Sequence, residues 1–138
     1  RDLVGRTWRG DARRSDGASL QASATFDWIP YLGVLHAQIS IAEKDAVARR
    51  SMEVYLIPAA WSEAFRILVL SDSGGVFEGD ATVAGNGREV AGVLNERTGE
   101  TTVQRALRWT LEPDGAPRIR LWADRDPTAA PVLDLLLK

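Results

Sequence analysis

The sequence has no cysteine, a single histidine, a single methionine and only two lysines against fifteen arginines. Without cysteine there are no disulfides, no thiol nucleophile and no thiolate metal site. One histidine excludes a multi-histidine metal centre, and no carboxylate cluster stands at ligand spacing, so no metal is expected. No segment approaches the roughly 20 apolar residues needed for a membrane-spanning helix. The net charge of -2 provides no basic footprint, so nucleic acid is not an expected partner. No Gly-x-Ser-x-Gly elbow is present. Gly74-Gly75 and Gly85-x-Gly87 read as hairpin glycines rather than phosphate loops, because no helix follows to supply amide donors.

What is present is a regular punctuation by turn residues. Ser15-Asp16-Gly17, Pro30-Tyr31-Leu32-Gly33, Glu43-Lys44-Asp45, Ser71 to Gly75, Gly85-Asn86-Gly87, Thr98-Gly99 and Pro113-Asp114-Gly115 separate short runs of alternating apolar and polar residues. Strands at that spacing indicate a sandwich or an up-and-down barrel. The chain of 138 residues shows no linker or composition break, which predicts one domain over residues 1–138. The expected strands are Thr7–Arg14, Ser19–Trp28, Val34–Ala42, Val47–Ile57, Ala64–Ser71, Val76–Ala84, Arg88–Glu96, Thr101–Leu111 and Pro117–Ala123. Val132–Leu137 reads as a tenth strand or a short helix. A meander of nine to ten strands twists and curls, and closure removes its vulnerable edges. The prediction is therefore all-β: a closed antiparallel up-and-down β-barrel.

Alternation marks the buried faces. Leu20, Ala22, Ala24, Phe26 and Trp28 form one stripe; Val103, Leu107, Trp109 and Leu111 form another, in register with Arg105. Phe77, Gly79, Ala81 and Val83 oppose Glu78, Asp80 and Thr82, while Ile119 and Leu121 oppose Arg118 and Arg120. The stretches Met52–Ile57 and Ile67–Leu70 are apolar on both faces, so this wall needs cover outside as well as inside. The candidates are the C-terminal Val132–Leu137 segment or a second subunit, which would make a homodimer through the Met52–Leu70 wall.

The opening Gly5-Arg6-Thr7-Trp8-Arg9-Gly10 and the later Asp72-Ser73-Gly74-Gly75-Val76-Phe77-Glu78-Gly79 resemble bacterial lipocalin-like (calycin-type) barrel domains of unknown function. The glycine precedes the tryptophan by three positions rather than that pattern's two. The resemblance implies a lipocalin-like barrel with the Trp8 ring plugging one end and a late arginine, Arg118 or Arg120, packed across it. There is a fainter resemblance to nitrobindin-type haem barrels. Their C-terminal histidine ligand has no counterpart here, so no haem or other cofactor is expected.

The residues expected to line a ligand site are Trp8, Phe26, Trp28, His36, Tyr55, Phe77, Arg105, Trp109 and Trp122. Large aromatics either fill a barrel core or line a cavity, and composition does not separate the two. Trp61, in the Pro58 to Glu63 loop, could cap a barrel mouth or an interface. His36 opposes the stripe Leu35, Ala37, Ile39 and Ile41; its role depends on which face points inward. An inward Arg105 needs a partner, and Glu53, Tyr55 or a bound carboxylate would serve; a bulge turning it to solvent is the alternative. Arg13-Arg14 and Arg49-Arg50 stand among acidic residues and read as solvated mixed-charge surface.

The expected function is binding of a small, partly apolar ligand, with any acidic group met by Arg105. The alternatives are an enzyme acting on a small organic acid through His36, Glu53, Tyr55, Glu78 and Arg105, and a dimerising domain with a filled barrel. No catalytic residue is assigned. Arginine-rich, lysine-poor composition with abundant alanine fits a bacterium with a GC-rich genome, in either cytoplasm or periplasm. The start at Arg1 fits a removed signal peptide or a shortened chain.

Overall fold

Side chains that alternate between apolar and polar can satisfy water and core at once only in strands, and ten strands form among the described residues. They are β1 (Thr7–Arg14), β2 (Ser19–Ile29), β3 (Val34–Glu43), β4 (Arg49–Pro58), β5 (Ala64–Ser71), β6 (Val76–Ala84), β7 (Glu89–Thr98), β8 (Thr101–Leu111), β9 (Pro117–Leu121) and β10 (Leu133–Leu137). The computed structural model describes residues 3–14, 16–43, 49–58, 64–84 and 87–138, excluding the side chain of Thr98. The Trp61 cap and parts of three expected turns (Ser15, Lys44-Asp45 and Gly85-Asn86) lie outside the described residues.

Each strand pairs antiparallel with its sequence neighbour, and β10 returns to pair with β1, closing the barrel. Closure satisfies the backbone groups that an edge would leave exposed. Hairpin glycines make the turns possible: Gly17, Gly87 and Gly115 sit at φ of 84°, 82° and 88°. Gly79 serves a different purpose. A Cβ there would run into the Val93 carbonyl on the neighbouring strand, so only glycine lets β6 and β7 approach so closely.

The ambiguous tenth segment is a strand. Leu133, Leu135 and Leu137 point inward, where Leu135 and Leu137 have no solvent exposure. Asp134 points outward and takes a two-pronged hydrogen bond from Arg118 on β9, Nε to Oδ1 at 3.0 Å and Nη2 to Oδ2 at 2.8 Å. That hydrogen bond holds the Arg118 guanidinium above the usual arginine pKa, against the opposing effect of burial. The C-terminal segment is thus part of the wall and does not cover the Met52–Leu70 face. Tyr55, Ile57, Leu68 and Leu70 form the outer side of that face, opposite the buried Val54, Leu56, Ile67 and Val69.

The up-and-down order puts the β1–β2, β3–β4, β5–β6, β7–β8 and β9–β10 connections at one end of the barrel, and the chain termini at the other. The terminal end is plugged. Trp8, Phe26 and Trp109 are buried there, with the Phe26 and Trp109 rings 5.2 Å apart. Residues 3–6 fold across this end. Trp8 Nε1 donates to the Leu3 carbonyl at 3.0 Å, and the Arg6 guanidinium lies 3.6 Å from the Trp8 ring centre. The arginine over Trp8 is therefore Arg6, from the same strand's approach, and not Arg118 or Arg120. Both of those alternate outward from Ile119 and Leu121.

Candidate functional site

The other end of the barrel differs because its inward positions change from aromatic to flexible and charged. Beneath it lies a cavity of about 60 Å³ whose lining is entirely apolar. Ile39, Met52, Val54, Val69, Phe77 and Leu94 form one side, and Leu107, Ile119, Leu121, Leu133 and Leu135 the other. No polar residue is buried among those described, so nothing in this cavity would hold a water in place. Above it opens a mouth of about 420 Å³ between the ends of β1, β3 and β5 and the starts of β2, β4 and β10. Met52 and Leu133 line both spaces and form the floor of one and the ceiling of the other.

The mouth is charged. Arg14 Nη2 meets Glu43 Oε1 at 3.0 Å and Asp16 Oδ2 at 3.4 Å. Arg50 shares the inner face of β4 with Met52 and Val54, and Ser71 lies across from Met52. On the β7–β8 side, Arg105 Nε donates to Glu96 Oε2 at 2.7 Å, with both side chains about three-quarters buried. Arg105 therefore faces inward with Leu107 and Trp109, and no bulge turns it out. Its partner is Glu96 rather than Glu53 or Tyr55. The β7–β8 register pairs Glu96 with Val103 and Leu94 with Arg105, which sets the two charges diagonally on one face.

The nine expected site residues divide between several places. Phe77 lines the cavity, and Arg105 borders the open end. Trp8, Phe26 and Trp109 belong to the plug. Trp28, expected on the buried stripe, is 52% exposed because β2 continues past the last covered rung of the barrel. Trp122 is buried but on the outer face. Its Nε1 donates to the Ala129 carbonyl at 2.9 Å, and Arg108 and Arg120 lie 5.7 and 5.6 Å from its ring.

His36 and Tyr55 are also outside. They are direct neighbours across β3 and β4, stacked at 4.7 Å, with His36 Nε2 donating to Glu53 Oε1 at 3.3 Å. Glu78 is on the outer wall beside Arg66, whose pKa is raised mainly by its hydrogen bond to Asp80. None of His36, Glu53, Tyr55, Glu78 and Arg105 lines the cavity or the mouth described above. The acid–base groups considered for catalysis are thus spread over both surfaces of the barrel. Among the described residues, no group of three or more His, Asp or Glu could hold a metal ion. Among the described residues, no helix is long and apolar enough to cross a membrane.

Sequence reasoning missed Met52, Leu133 and Arg50 as site residues. Arg50 could have been found by counting in twos along its strand, since positions 50, 52, 54 and 56 share a face. No protein-family model and no curated protein sequence matches the chain.

Proposed function

We propose that the protein binds a small, partly apolar molecule at the open end of the barrel, in the manner of lipocalin-like proteins. One observation carries this reading: an apolar-lined cavity lies under a wide mouth at one end, while the other end is stoppered by Trp8, Phe26 and Trp109. A core built only for stability would be packed evenly to both ends, since even a methyl-sized void costs about 1 kcal/mol. The single methionine standing between mouth and cavity supports entry, because an unbranched thioether changes rotamer more easily than the branched residues around it. The ligand-contacting residues in this reading are Met52, Phe77, Leu121 and Leu133. Trp8, Phe26 and Trp109 stay structural.

The test is twofold. Native mass spectrometry of protein purified without denaturant should show an additional small mass, which is lost after unfolding and refolding. A thermal-shift screen of fatty acids, alcohols and small aromatic acids should raise the melting temperature with at least one class. Ligand at about 100 times its Kd contributes about 2.7 kcal/mol. Neither mass nor shift would remove the reading.

A second reading, a homodimer, is favoured by the half-buried outer row Tyr55, Ile57, Leu68 and Leu70, continued by the 47% exposed Val76. Analytical ultracentrifugation decides it: a monomer at tens of micromolar argues against a dimer through this wall.

A further inference from the structure

Resting on the binding reading above, we infer that the ligand is a straight-chain alkyl monocarboxylate. It enters tail first, and its carboxylate is held at the rim by Arg50. The charges around the mouth point to this residue. Arg14 is already paired with Glu43 and Asp16, and Arg105 with Glu96. Arg105 also directs Nη1 at the Ala123 carbonyl, 3.5 Å away. Arg50 has no acidic partner among the described residues. It nevertheless lies on the inward face of β4, two residues before Met52. An unpaired guanidinium directly above an apolar opening presents a planar fork that matches a carboxylate.

The same geometry limits the ligand. Among the described residues lining the mouth, Arg50 is the one cation without an acidic partner, and Glu43 lines the same mouth, so a doubly charged head group would meet repulsion. The deep cavity of about 60 Å³ is less than half of the roughly 150 Å³ that accommodates benzene, so it admits the tip of an alkyl chain and no ring. The wider mouth holds the remainder of the chain below Arg50.

Isothermal titration of wild type and Arg50→Gln with octanoate and with 1-octanol tests the assignment. Arg50 is exposed and unpaired, so its replacement leaves the fold intact, which far-UV circular dichroism checks. Wild type should bind octanoate about five- to tenfold more tightly than octanol, a charge-assisted bond reduced by solvent. Arg50→Gln should bind the two alike, with octanol affinity unchanged. Equal affinities in wild type, or an octanoate preference that survives in Arg50→Gln, overturns the carboxylate assignment while leaving the binding reading in place. No binding of either probe overturns both.

Discussion

Replacing Glu96 by Gln tests whether Arg105 truly sits inside the rim. The pair meets at 2.7 Å, with side-chain exposures of 26% for Arg105 and 22% for Glu96. Exposed ion pairs are worth about 0.2–1 kcal/mol. Hydrogen bonds to charged groups that are shielded from water reach about 1.5–3 kcal/mol. Intermediate burial places this pair at about 1–2 kcal/mol. For a chain of 138 residues, that corresponds to a fall in melting temperature of about 3–8 °C. A double-mutant cycle with Glu96→Gln, Arg105→Gln and the combined variant, unfolded in urea, isolates the coupling. The expected coupling is about 1–2 kcal/mol and should survive largely intact in about 1 M salt, since buried charges are screened less than exposed ones. A coupling below about 0.3 kcal/mol, or one abolished by salt, would mean that Arg105 is solvated and that the inward register of β8 is wrong.

Gly79→Ala should destabilise by about 2–3 kcal/mol, because its new Cβ meets the rigid Val93 carbonyl rather than a movable side chain; urea unfolding measures it. Val69→Ile adds a methyl group towards the cavity and should stabilise by about 0.5–1 kcal/mol while weakening octanol binding, as calorimetry with the same titrant would show. Arg118→Gln should cost the same at about pH 6 and about pH 9 in chemical denaturation. The sign follows from the raised guanidinium pKa: the stabilisation is fully present below the unfolded arginine value and is lost only as pH rises past the still higher folded one.

Strand boundaries were readable because barrel strands in water are half-wet, and Ala64–Ser71, Val76–Ala84 and Thr101–Leu111 match the expected limits residue for residue. Leu133–Leu137 was harder, since five residues with four leucines fit either period; only its pairing with β1 and β9 decides for a strand. Alternation put Arg105 in register with Leu107 and Trp109 but left a bulge open as the alternative, and it did not identify the partner. Finding Glu96 requires the register set by the Thr98-Gly99 turn, which folds position 96 back beside 103 and within a diagonal of 105. Trp122 reads as one more aromatic by composition. Its position outside the barrel follows from alternation with the inward Ile119 and Leu121, and its burial there comes with Ala129 of the β9–β10 connection, whose carbonyl accepts from Nε1. The cavity itself was not legible, because a void is a difference between packed volumes and depends on the direction of every lining side chain at once.

Met52 is the only methionine, and it stands where mouth meets cavity, so its ε-methyl carbon–proton signal reports on that junction without assignment ambiguity. Titration with 1-octanol, followed by methyl NMR together with the tryptophan indole signals, tests the open-end site directly. Binding at the open end shifts the Met52 methyl saturably while the Trp8 indole proton stays in place. A stationary Met52 signal at ligand excess, or movement centred on Trp8, would contradict it.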